Sequence, residues 1–182
     1  MIAADGSLNI EDYRANERTF NMLVQVAGRA GREKDEGKVI IQTYNPDNFS
    51  IEYAKHGNYE KFYETEILLR RELNYPPFCD IILFDISSRD KTETENASSE
   101  LYNILEKNVG AYGIRLNNKM QIFKPVPAPI SKIKNRYRYR IIAKCKLNNN
   151  IINLINDALE DYYKLKYNNV RVIVDTNPNN LM

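Results

Sequence analysis

The chain has no tryptophan, a single histidine (His56) and only two cysteines (Cys79 and Cys145) in 182 residues. Three scattered ligand-type side chains without a C-x-x-C spacing make no zinc site, so none of these residues is expected to bind metal. Two free thiols suit a reducing cytosol, and the expected location is cytoplasmic. No apolar run approaches the roughly 18–20 residues needed to cross a bilayer, and the N-terminus lacks the pattern of a cleaved signal. A phosphate-binding loop is missing as well. Gly37-Lys38-Val39 has neither the preceding glycine nor the hydroxyl residue that such a loop needs. The opening Met1-Ile2-Ala3-Ala4-Asp5 reads as a start set inside a longer protein.

What is present supports a packed fold. Hydrophobic residues make up 43% of the chain, and 182 residues allow one ordinary domain with a smaller piece beside it. The net charge is only +2, yet Arg115 to Lys146 holds ten Lys or Arg residues and no Asp or Glu. A near-neutral total thus conceals one strongly basic segment, the pattern of a polyanion site.

Periodicity organises the chain. Residues 1–16 read as a strand end and a loop, with Asp5-Gly6 as turn chemistry. Phe20, Leu23, Val24 and Ala27 follow helical spacing over 17–30, and Gly31 ends that helix before a charged loop at 31–37. A short strand is expected over 38–43, then helices over 48–55 and 59–73, closed by the rigid Tyr75-Pro76-Pro77-Phe78 turn. Strands at 81–87, 119–124, 136–146 and 170–175 alternate with helices at 93–108 and 149–166, and the Pro-rich run PVPAP is expected to be a loop. Strand–helix–strand–strand–helix–strand is the split βαβ, or ferredoxin-like, order.

The strand 136–146 has the clearest pattern. Side chains alternate between its faces, so Tyr137, Tyr139, Ile141, Ala143 and Cys145 share one face. Arg136, Arg138, Arg140, Lys144 and Lys146 share the other, interrupted by Ile142. With both helices on the apolar side, the basic set is expected on an open face. Like charges repeating at roughly 7 Å repel one another, and an anionic partner would relieve them. Lys132, Lys134, Arg136, Arg138 and Arg140 are therefore the candidate DNA contacts, with a solvated charged face as the alternative. Tyr137 and Tyr139 are either core residues or stacking platforms for unpaired bases. Tyr53, Tyr59, Phe62 and Tyr63 are expected to seam two domains, and Arg70 and Arg71 to end a helix, with a DNA contact as their alternative.

Two linked segments, DYRANERTF (12–20) and QVAGRAGR (25–32), resemble the last motif of superfamily 2 helicases. The first narrows the resemblance to the primosomal replication-restart helicases (primosomal protein N′). IIQTYNP (40–46), YEKFYETE (59–66) leading to RRELNYPPF (70–78), PVPAPISKIKNRYRYR (125–140) and VIVDTNPNNLM (172–182) agree with it. One departure is Glu11, where the family usually has proline. The resemblance implies the C-terminal part of an ATP-dependent DNA helicase that recognises stalled replication forks and initiates primosome assembly. Residues 1–45 would close the second, RecA-like lobe. Residues 46–78 would form a helical connector, and 79–182 a ferredoxin-like DNA-binding domain.

In that family Arg29 and Arg32 would stabilise charge on a nucleotide held by the other lobe, with Gln25 and Gly28 beside them. Read from the residues alone, the two arginines equally suit a helix C-terminus, where positive charge is favoured. ATP and Mg would belong to the complete protein, and its cysteine-bound zinc would lie ahead of this chain. The chain by itself would bind DNA, forked or single-stranded, without hydrolysing ATP. Single-strand-binding protein and primosome proteins are the partners implied. The alternatives are a free-standing nucleic-acid-binding module or a protein-docking module of ferredoxin-like fold.

Overall fold

The computed structural model describes residues 2–30, 38–112, 120–165 and 167–181. The chain divides into two compact units, Met1–Leu73 and Asn74–Met182.

The first unit is mainly helical. Strand β1 (Ile2–Ala3) pairs in parallel with β2 (Ile41–Gln42). Between them lie a short helix α1 (Asp5–Leu8) and the long α2 (Ala15–Ala30), and after them α3 (Phe49–Lys55) and α4 (Tyr59–Glu72). Asp5-Gly6 therefore opens a helical turn and not a loop. Its carboxylate is used at long range, accepting from Thr43 Oγ1 at 2.8 Å and from the Tyr44 amide. The expected strand over 38–43 shrinks to two residues. Asn48 and Asn58 cap α3 and α4 by accepting from the Ser50 and Lys61 amides, which satisfies donors that a helix start leaves open. Buried Phe20, Leu23, Ile51, Ala54 and Phe62 form the core. Phe20 stacks on Phe62 with ring centroids 4.2 Å apart. Residues of the 46–73 stretch thus share one apolar centre with those of α2. Phe62 is a core residue, whereas Tyr59 and Tyr63 are exposed.

The second unit is α+β. Its elements run β3 (Asp80–Ser88), α5 (Lys91–Ala111), β4 (Met120–Ile122), β5 (Val126–Ile133), β6 (Arg136–Cys145), α6 (Asn149–Tyr163) and β7 (Arg171–Thr176). All strand pairings are antiparallel, in the order β4-β6-β3-β7, with β5 also on β6. β4 pairs with the end of β6 (Ala143–Cys145), and β5 with its beginning (Arg136–Arg140). Asp90 and Asn148 cap the two helices. Ile82, Phe84 and Ile86 of β3, Leu101 and Leu105 of α5, Ile141 and Ala143 of β6, and Ile151 and Leu154 of α6 are all buried in one core.

The Pro-rich run differs from expectation: Val126–Ile133 is a strand. Pro127 and Pro129 lie within it, and Pro125 immediately precedes it. Proline is tolerated on an edge strand, and a break in pairing between Pro127 and Lys132 relieves the ladder. α6 stops at Tyr163, so Leu165 is exposed and not on the buried stripe.

Candidate functional site

The apolar face of β6 is as the alternation predicts. Tyr139, Ile141, Ala143 and Cys145 are buried against the helices, while Tyr137, nearer the strand's start, is half-buried. Tyr139 is thus a core residue. Burial pushes the Cys145 thiol up to about 12.

The opposite face departs from the expected open basic surface. Arg140 and Lys144 are only 9% and 8% exposed, and Arg136 and Arg138 are half-buried. Each has an internal partner. Arg136 Nη2 donates to the Ser87 carbonyl at 2.6 Å. Arg138 forms an ion pair with Asp85 across the β3–β6 ladder, its Nε 3.1 Å from the carboxylate. Arg140 Nη1 donates to the Leu181 carbonyl at 2.6 Å.

The physical reason is that this face is covered. The chain after β7 returns across it, Leu181 is buried, and Asn177 accepts from the Ile81 amide at 2.9 Å while donating to Asp80. Ile81 and Leu83, which point to the same side, are buried too. Asp85 and the C-terminal turn therefore relieve the repulsion that the sequence assigns to an outside anion. Lys144 is held with its ammonium 3.5 Å from the Tyr75 ring centroid. Burial lowers its pKa, because desolvation disfavours the charged form. It borders a cleft of about 870 Å³ also lined by Lys146, Asn74 and Glu106.

Lys132 and Lys134 are exposed, on the hairpin that joins β5 to β6. Lys132 Nζ lies 4.6 Å from the Tyr137 ring centroid, a contact that leaves its positive charge intact. The exposed cations of the predicted set are thus on the hairpin and not along the strand.

In the first unit, Gln25, Gly28 and Arg29 lie on the exposed side of α2, opposite Phe20 and Leu23. Gln25 and Arg29 stand one turn apart, so both can meet a ligand outside the unit. Arg32 and the 31–37 loop lie outside the described residues.

The DYRANERTF segment proves to be a scaffold for α2. Buried Asp12 accepts from the Arg14 amide at 2.9 Å and pairs with Arg18 at 3.0 Å, fixing the start of the helix. Tyr13 lies between two guanidiniums, with Arg14 at 5.0 Å and Arg70 at 5.2 Å from its centroid. Arg70, expected to end α4, also reaches Glu17 at 2.7 Å and Glu66 at 2.8 Å. Burial works against its charge, but the bonds from Glu17 and Glu66 outweigh that and raise its pKa. The Glu66–Arg70 spacing of four is readable in the sequence; the partnership with Glu17, 53 residues away, is not. A second missed residue is Asp85. Its signal was an acid inside the apolar strand DIILFDISS, since a charge there needs a partner.

Among the described residues, no group of three or more His, Cys, Asp or Glu side chains is placed to hold a metal ion. No helix there is long and apolar enough to cross a membrane.

Comparison with known proteins shows the family. The Replication restart protein PriA of Bacillus subtilis is 36% identical over 100% of this chain and 22% of its own length. That of Borreliella burgdorferi is 39% identical over 88% of the chain and 23% of its own length. For that of Synechocystis the figures are 38%, 79% and 16%. The chain spans less than a quarter of the length of these relatives. Residues 71–179 match the family described as Primosomal protein N C-terminal domain (PriA_C), and the chain belongs to that family.

Proposed function

We propose that this chain is part of an ATP-dependent DNA helicase of replication restart, in which the first unit presents Arg29 to a nucleotide and the second unit contacts DNA. One observation carries the reading: the similarity to relatives named Replication restart protein PriA runs through both units, not only through 71–179. On this reading residues 1–45 complete a RecA-like lobe, 46–78 connect, and 79–182 form a ferredoxin-like DNA-binding domain. The sheet order β4/β5-β6-β3-β7 with two helices supports the last of these.

Arg29 is an exposed guanidinium at the end of α2, a helix that Asp12, Arg18, Glu17 and Arg70 hold in place. Phosphoryl transfer spreads negative charge over the γ-phosphate oxygens, and a prepositioned guanidinium stabilises it by charge-assisted hydrogen bonds. Gln25 would lie at the same interface, Gly28 beside it, and Arg32 would act with Arg29. The nucleotide and its Mg would be gripped by a separate lobe, and any zinc would be held by residues outside this sequence. Forked or single-stranded DNA is the proposed nucleic acid, with the exposed Lys132 and Lys134 as its candidate contacts, while Arg136, Arg138 and Arg140 are engaged within the unit. Single-strand-binding protein and primosome proteins are the proposed partners, in the cytoplasm.

The test is a pair of assays on the purified 182-residue chain. It should bind DNA at low salt and release it on salt addition, and it should show no ATP turnover with or without DNA. Genuine turnover by the chain alone would overturn the division of labour. Absence of DNA binding at low salt would remove the second unit's role.

A further inference from the structure

The two edges of the second unit's sheet are finished differently. On one side β5 carries Pro127 and Pro129, which have no amide to offer, and its pairing with β6 is irregular between Pro127 and Lys132. On the other side β7 pairs with β3 in an unbroken register and, among the described residues, with no other strand. Its sequence RVIVDT contains neither proline nor lysine, and its β-branched residues favour extended backbone. An edge without these protections is open to a further strand.

Alternate backbone groups of β7 face outwards. Asn177, directly after the strand, donates its amide to the Ile81 carbonyl of β3 at 2.7 Å. Direction alternates along a strand, so the backbone groups of Arg171, Ile173 and Asp175 turn towards β3, and those of Val172 and Val174 turn away from it. The side chains of Arg171, Ile173 and Asp175 share one face and are exposed, Ile173 by 43%. Val172 and Val174 are half-buried against the core. Neither Arg171 nor Asp175 is in an ion pair among the described residues.

We propose that β7 is a self-pairing edge, joining two copies of this chain antiparallel about a two-fold axis at Ile173. The segment Arg171-Val172-Ile173-Val174-Asp175 is its own complement when reversed. Val172 faces Val174 of the second copy, and their outward backbone groups exchange hydrogen bonds. Ile173 meets Ile173 of the second copy in the non-hydrogen-bonded class of pair, where side chains come closest. Arg171 lies opposite Asp175 of the second copy, and symmetry makes that pair twice. A register centred on Val174 would set Ile173 against Asp175 and lose both ion pairs, so charge selects the register. Growth stops at two copies, because each far edge of the joined sheet carries prolines. So short a strand pair buries much less than the ~1,200 Å² of a stable interface, and the association is therefore weak and concentration-dependent.

The test is sedimentation velocity of the 182-residue chain up to millimolar concentration, with thermal melts of every variant to confirm folding. The unaltered chain should pass from monomer to dimer as concentration rises, with no larger species. Arg171→Asp and Asp175→Arg each set like charges opposite one another, and each should weaken dimerisation about ten-fold at low salt. Mixing those two variants should restore it, since one copy then offers two carboxylates to the other's two guanidiniums. Ile173→Lys, which places a charge at the centre of the edge, should abolish it. A chain that stays monomeric at millimolar concentration would overturn the proposal. A dimer that both charge reversals and Ile173→Lys leave unchanged would overturn it equally, by placing the contact elsewhere. No DNA enters the experiment, so its outcome is separate from that of the DNA-binding reading.

Discussion

Arg70 bonds Glu17 of α2 at 2.7 Å and Glu66 of its own helix at 2.8 Å, joining two segments 53 residues apart. The Arg70 side chain is 15% exposed and that of Glu66 only 9%. Removing the guanidinium would leave the Glu66 carboxylate buried without this counter-charge, a far larger penalty than loss of a surface pair. Arg70→Ala should therefore destabilise the first unit by about 3 kcal/mol. Adding Glu66→Gln should recover part of that loss. Urea denaturation of the three proteins measures it; a single-variant change within about 0.5 kcal/mol, as for an ordinary surface site, would contradict the clamp.

Asp85 restrains Arg138 in the second unit. Asp85→Asn keeps the shape of the side chain but removes the charge, so the guanidinium gains freedom to meet an outside anion. Affinity for DNA at low salt should rise a few-fold, and the salt slope should steepen by about 0.9, one phosphate's worth. A fall in affinity with the fold intact would show that the ion pair itself shapes the DNA-binding surface.

Alkaline stability follows from Cys145. Its thiol is raised from 9.0 to about 12 in the folded chain, because burial disfavours the thiolate. Above pH 9 the unfolded chain loses this proton while the folded chain keeps it. The folded state then binds more protons, and stability falls as pH rises from 9 towards 12. Cys145→Ala should flatten that decline, at the cost of some packing. Denaturant midpoints at pH 8, 9 and 10 test it, and an equal slope in both proteins would contradict the assignment.

The sequence was most informative where a short-range pattern determines structure. Phe20 and Leu23 mark the buried side of α2, and Tyr139, Ile141, Ala143 and Cys145 that of β6, because a fixed helical or strand period separates inside from outside. The covered basic face was not legible. Its outcome depends on Leu181, 41 residues from Arg140, and on Asp85, 53 residues from Arg138. Alternation shows which side chains share a face, but it does not show what the rest of the chain lays over that face. The prolines of PVPAP predict a loop, whereas in the fold they mark a sheet edge.

The most direct measurement of the role of Arg29 is ATP hydrolysis by a complete protein carrying this sequence, with Arg29→Ala compared against the unaltered form. DNA affinity should be unchanged while DNA-dependent kcat falls by roughly 1000-fold, the lower end of what a transition-state arginine contributes. Hydrolysis at the unaltered rate would contradict it and leave Arg29 as a surface residue at the end of a helix.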